Sequence, residues 1–187
     1  MQQPSEPTYN EGIIMGIFSR ITKKTKYKAV FCGLDSSGKT TIISFLKEGR
    51  FVEHTPTMGK TCQNIKVKGT ELTLFDMGGQ SHFRKMWLGE IGGNTKCVVF
   101  VIDRANPERF EEAKAELDLL VPLIKKQGIK LLLFANKTDL PNAVPIEQIY
   151  RIFSLQELDS FEILEISAKT GFGMVDAFIK FFSTLTG

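Results

Sequence analysis

Residues 33–41 read GLDSSGKTT, and Gly33, Gly38, Lys39 and Thr40 complete the pattern G-x-x-x-x-G-K-[ST]. A loop of this kind turns successive backbone N–H groups toward one point, where phosphate oxygens can accept from them. The helix that follows adds its positive end to the same cradle. Lys39 is then placed to reach β- and γ-phosphates, and the Thr40 hydroxyl to ligate Mg²⁺. The candidate phosphate contacts are Asp35, Ser36, Ser37, Gly38, Lys39, Thr40 and Thr41. A second group, Asp76-Met77-Gly78-Gly79-Gln80, closes an apolar strand pattern. Asp76 at a strand end can hold Mg²⁺ through water. Gly79 can bring its N–H close to a γ-phosphate because it has no Cβ. Gln80 is the candidate catalytic residue, its amide placed to orient an attacking water. Between the two groups lies TPTMG, residues 55–59. Thr57 is the better metal ligand there, since Pro56 restricts Thr55.

The phosphate loop does not choose a base. Asn136-Lys137-Thr138-Asp139 follows the buried-strand pattern LLLFA, residues 131–135. The Asp139 carboxylate can accept from both N1–H and the exocyclic amine of guanine, a donor pair adenine lacks. Asn136 can bridge to the N7 side of the ring and to neighbouring loops, while the Lys137 stem covers a ring face. Ser167, Ala168 and Lys169 follow the last strand, where their backbone N–H groups can meet the guanine carbonyl.

These residues need a strand–helix alternation to bring them together. The pattern predicts a strand at 27–32 and a helix from the phosphate loop to about residue 48. Strands near 61–67 and 70–76 follow, joined tightly at Lys68-Gly69. Residues 81–92 read as a mobile loop or short helix, with 90–93 unusually flexible. CVVFVI, residues 97–102, reads as a buried strand ending at Asp103. Asn106-Pro107 resembles a helix cap with a first-turn proline. Phe110, Ala113, Leu117, Leu120 and Ile124 mark the next buried stripe, and Pro122 is expected to bend or end that helix. A strand at 130–135, a helix from about 146 and a strand at 161–166 complete the run. The closing helix is expected to bury Val175, Phe178, Ile179 and Phe182. Right-handed crossovers then place the ligand at the carboxyl ends of the strands.

The motifs GLDSSGKT, TPTMG, FDMGGQ, NKTD and SAK, in this order and spacing, resemble the ADP-ribosylation-factor-like branch of small GTPases over about residues 13–187. Asp35 matches the acidic residue that this branch carries inside its phosphate loop. Gly78-Gly79-Gln80 matches its double glycine before the catalytic glutamine. FRKMW with Trp87 resembles its second switch, and NKTDLPNA is typical of it. The resemblance implies an α/β, P-loop NTPase small-GTPase fold: a six-stranded, mostly parallel sheet with one antiparallel edge strand and helices on both faces. It also implies Mg²⁺, a GDP/GTP cycle with slow hydrolysis, and switches near Thr57 and Gln80. The interswitch hairpin is expected to slide in register during exchange. The implied partners are an exchange factor, a GTPase-activating protein and effectors that read the GTP form. Two positions depart from the family pattern: Lys60 stands where an aromatic is usual and Glu90 where Tyr is usual, while Phe75 keeps an aromatic. Arg84, close to Gln80, reads as a surface or partner contact, so a full rate is expected to need a partner. The alternative reading is a near-inactive GTP-binding scaffold. A P-loop phosphotransferase is disfavoured, because NKTD and SAK both serve a guanine ring.

Composition narrows the setting. A chain of 187 residues with 15 Phe suits one domain with a sizeable core. The three cysteines lack metal-ligand spacing and read as free thiols, with Cys32 and Cys97 in strands. No apolar stretch is long enough to cross a bilayer. The start carries Pro, Ser and Glu rather than a basic stretch and an apolar run, and does not read as a secretory signal. The formal charge of +3 is confined: residues 1–30 carry five basic and two acidic residues, and the remainder carries 19 of each. That confinement argues against nucleic acid as a partner. Residues 1–25 read as a flexible lead with a short amphipathic helix, and 26–187 as the GTP-binding domain. Ile13, Ile14, Ile17, Phe18 and Ile21 share one helical arc, followed by Lys23, Lys24, Lys26 and Lys28. This segment is expected to contact anionic membrane reversibly, giving a cytoplasmic protein that is peripheral on membranes. Myristoylation is not expected, because Gln2 follows Met1.

Overall fold

The computed structural model describes residues 26–55, 57–67, 70–155, 158 and 161–186. The expectations for the amphipathic segment, Pro56 and the 68–69 connection lie outside the described residues. Among the described residues twelve elements follow one another. They begin with Lys26–Cys32 (β1), Lys39–Glu48 (α1), Lys60–Val67 (β2), Thr70–Met77 (β3), Ser81–Glu90 (α2) and Thr95–Asp103 (β4). A short 3₁₀ turn at Pro107–Arg109 leads into Phe110–Gln127 (α3). Lys130–Asn136 (β5), Ile146–Ile152 (α4), Phe161–Glu165 (β6) and Met174–Thr186 (α5) complete the chain. The strands form one sheet in the order β2-β3-β1-β4-β5-β6. Every pairing is parallel except β2 with β3.

The central strand is apolar on both faces because both faces are covered. Ala29, Phe31, Cys97, Val99 and Val101 pack with α1 and α5, through Ile42, Ile43, Phe178 and Phe181. Their alternate neighbours Val30, Cys32, Val98, Phe100 and Ile102 pack with α2, α3 and α4, through Trp87, Leu117, Ile124 and Ile149. Burial pushes the Cys32 and Cys97 thiols well above their ordinary range, which keeps them uncharged. Cys62 is exposed.

Several expectations change. Of the two readings of 81–92 the helix holds, over residues 81–90, but the segment expected to be flexible is anchored: Ile91 is buried, and the Thr95 hydroxyl donates to the Gly92 carbonyl at 2.8 Å. Pro122 does not end α3, which continues to Gln127. The Asn106 side chain makes no capping bond; Pro107 instead opens the 3₁₀ turn. In α5 the buried set is Met174, Ala177, Phe178, Phe181, Phe182 and Leu185, while Val175 is half-buried and Ile179 exposed. Aromatic contact rotates the helix this way: Phe181 meets Phe31 with ring centroids 5.9 Å apart, and Phe178 meets Phe45 at 6.2 Å.

Leu117 is fully buried between α3 and the sheet. Leu117→Ala is expected to destabilise the fold by about 2–5 kcal/mol. In urea unfolding this appears as a lower midpoint with an unchanged slope.

Candidate functional site

The loops after β1, β3, β5 and β6, together with the segment that leads into the antiparallel β2, surround one cavity of about 460 Å³. Asp35, Ser36, Gly38, Lys39, Thr40, Thr41, Thr57 and Gly79 line it on one side; Asn136, Lys137, Asp139, Ala168 and Lys169 line it on the other. Thr55 of TPTMG and Leu140 of NKTDLPNA also line it, as do Phe51, Glu53 and His54, which no motif marks. Four candidates do not line it: Ser37, Asp76, Gln80 and Ser167. Ser37 is buried, and its carbonyl accepts from the Asn136 amide at 2.9 Å. Ser167 is buried and donates to the Asp139 carboxylate at 2.6 Å. Gln80 precedes the first turn of α2, directly after Gly79, and does not line the cavity.

The phosphate loop is shaped by close approaches. Gly38 has φ 96°, and a Cβ there would sit 2.3 Å from the Asn136 amide nitrogen. Asn136 also reaches a third loop, because its side-chain oxygen accepts from the Ala168 N–H at 3.0 Å. Lys39 donates to the carbonyls of Gly33 and Leu34 at 2.9 and 2.8 Å. Burial lowers its pKa to about 8, although the Asp76 charge pulls the other way. An arriving phosphate would favour the charged ammonium further. Lys137 adopts φ 68°, and its ammonium reaches the Asp103 carboxylate at 2.6 Å.

The three candidate metal residues meet. Thr40 and Thr57 donate to Asp76 Oδ2 at 2.6 and 3.1 Å, and their hydroxyl oxygens are 2.7 Å apart. Asp76 Oδ1 is buried without a hydrogen-bond partner. Burial raises the Asp76 pKa despite the two hydroxyls. A hard cation beside it would satisfy the orphaned oxygen and favour ionisation. One carboxylate and two hydroxyls match Mg²⁺, which takes few protein oxygens and completes its shell with phosphate and water. These residues fit the ion.

Around Gln80 the structure adds two contacts to the sequence reading. Gly79 is pressed against the phosphate loop, where a Cβ would meet Asp35 N at 2.1 Å. Arg84 is not a surface contact: it is only 8% exposed. Its Nε donates to the Gly79 carbonyl at 2.8 Å, and its Nη atoms reach Glu116 at 3.0 Å and Glu112 at 2.7 Å. Arg109 links Glu112 to Asp35. The Asp35 carboxyl is held below its usual range by its hydrogen bond from Arg109. A hydrogen bond from Arg109 likewise lowers Glu112. The two departures from the family pattern also meet: Lys60 pairs with Glu90 at 2.6 Å. Lys28 donates to the Glu90 carbonyl at 2.7 Å, and both ammoniums lie over the Phe75 ring, 4.7 and 5.2 Å from its centroid.

Comparison with known proteins agrees with this geometry. The Arl6 BBS3 small GTPase from Trypanosoma brucei, solved with the bound nucleotide analogue GppNp, is 28% identical with a TM-score of 0.73. The match covers 87% of this chain and 100% of that one. A structure of the mammalian SRP receptor is 22% identical with a TM-score of 0.74, covering 86% of this chain and 100% of that one; this likeness shows the fold alone. The model of the ADP-ribosylation factor family matches residues 14–185, and the chain belongs to that family of small GTPases.

Proposed function

We propose that this chain is a guanine-nucleotide switch that exchanges GDP for GTP and hydrolyses GTP slowly. One observation carries the reading. A single cavity has the phosphate loop with the Thr40–Thr57–Asp76 oxygens at one end and Asn136, Lys137, Asp139 and Ala168 near the other. The loop N–H groups and Lys39 would hold the phosphates, and Asp139 would accept from the base. Bound at Thr40, Thr57 and Asp76, Mg²⁺ would neutralise charge on the β- and γ-phosphates. Gln80 would orient the attacking water once its segment turns toward the cavity. Arg84 is already committed to Gly79, Glu112 and Glu116, so it is not free to reach the γ-phosphate, and an arginine brought by an activating partner would serve there.

A second reading, a scaffold that holds GTP and cleaves little, is favoured by the position of Gln80 outside the cavity wall. Single-turnover phosphate release separates the two. Gln80→Leu is expected to keep GTP bound and to slow release at least about tenfold. Equal rates in parent and variant, with and without an activating partner, would leave the scaffold as the better description. Lys39→Ala, in contrast, is expected to weaken nucleotide binding itself.

Base choice is tested independently at Asp139. Asp139→Asn exchanges an acceptor for a donor, so GTP binding is expected to weaken about tenfold or more and XTP to become preferred. Competition among GTP, XTP and ATP reads the change, and an unaltered order would remove Asp139 from base recognition.

The switch is further proposed to work in the cytoplasm and on membranes, with an exchange factor, an activating protein and effectors as partners. Its expected effector face carries the Lys60–Glu90 pair, which suits partners matched to charge rather than to an aromatic cluster. Residues 13–28 supply an apolar arc and a basic run for anionic lipid. Flotation with anionic vesicles is expected to favour the GTP form, to fall with salt, and to be lost on deletion of residues 1–22. Equal flotation after the deletion rules out this anchor.

A further inference from the structure

Arg104 belongs to none of the sequence motifs, yet it touches two of the loops that carry them. It directly follows the last residue of β4 and is only 5% exposed. Its backbone N–H donates to the Asn136 carbonyl at 3.0 Å, and its carbonyl accepts from the Val144 N–H at 3.0 Å. The guanidinium returns to the same segment, with Nε donating to the Val144 carbonyl at 3.0 Å. Nη1 donates both to the Thr138 hydroxyl and to the Glu165 carboxylate. Thr138 in turn donates to that carboxylate at 2.7 Å. Burial raises the Glu165 pKa, but the hydrogen bonds from Thr138 and Arg104 outweigh it and hold the carboxyl below its usual range.

The placement matters because of what comes next along each loop. β5 lies between β4 and β6 in the sheet, so the Arg104 side chain spans the end of β5 to reach the end of β6. Thr138 is one residue before Asp139, and Glu165 is two residues before Ser167. Asp139 and Ser167 then meet at 2.6 Å, and Ala168 lines the cavity beside them. The bonds need donors in three directions from one rigid plane, which a guanidinium provides and an ammonium does not. We infer that Arg104 is a positioning residue for base recognition: it holds the loop carrying Asp139 in register with the loop carrying Ser167 and Ala168. This inference rests on the guanine-nucleotide reading above.

The test is base discrimination, measured as the ratio of GDP to IDP affinity by displacement of a fluorescent guanine nucleotide. Hypoxanthine lacks the exocyclic amine, so the ratio reports how well Asp139 is aimed. Three variants are compared with the parent: Arg104→Lys, Arg104→Met, and the double substitution Arg104→Met with Glu165→Met, which removes the half-buried carboxylate together with its partner. The ratio is expected to fall about tenfold in the two methionine variants and less in the lysine variant. Single-turnover GTP cleavage in preloaded protein is expected to stay at the parental rate, because the phosphate side is untouched. A proportional loss of GDP and IDP affinity, or an unchanged ratio in the double variant, overturns the inference and leaves Arg104 as a fold contact. A parent protein that does not prefer GDP to IDP overturns the guanine reading, and the inference with it.

Discussion

The buried side-chain amide of Asn136 joins three loops that are far apart in sequence. Its nitrogen donates to the Ser37 carbonyl, 99 residues away, and its oxygen accepts from the Ala168 N–H, 32 residues away. A primary amide can serve as donor and acceptor at once, which a carboxylate or an ammonium cannot. The phosphate loop therefore has to approach β5 closely. That approach explains Gly38, because any Cβ there would take the space of the amide nitrogen. It also fixes the distance between the phosphate end of the cavity and the base end.

The segment that carries Gln80 is held differently, by backbone contact and charge. Gly78 donates to the Gly59 carbonyl at 2.7 Å, and Gly79 lies against the backbone of Asp35. Arg84 then holds the Gly79 carbonyl while its other nitrogens are neutralised by α3. Such a guanidinium is stabilised only as part of a network, since a lone buried charge would cost several kcal/mol. The Trp87 indole adds a bond to the Gly78 carbonyl at 3.1 Å and packs edge-on to Phe100, 6.2 Å between centroids. Thus the segment that carries Gln80 is tied to the phosphate loop, to α3 and to the core. On the neighbouring face, Glu90 pairs with two lysines that share the Phe75 ring, so the two positions that depart from the family pattern meet in one ion-pair cluster.

The sequence by itself determined the phosphate loop, the base motif, the Asp76 and Thr57 convergence and the order of strands and helices. Each of these rests on local chemistry: a glycine pattern, a polar turn after an apolar strand, or a repeat of apolar spacing. The tertiary structure alone decided the side-chain networks and the helix faces. Arg84 finds Glu112 and Glu116 at separations of 28 and 32 residues, and Arg104 finds Glu165 at 61. No local spacing encodes those pairs, because the sheet order brings them together only after the chain has folded. The same holds for α5, where contacts with Phe31 and Phe45 select the buried stripe, and for Pro122, which α3 accommodates while packed on the sheet. Periodicity states that a helix has an apolar side; the shape of the opposing surface decides which residues occupy it.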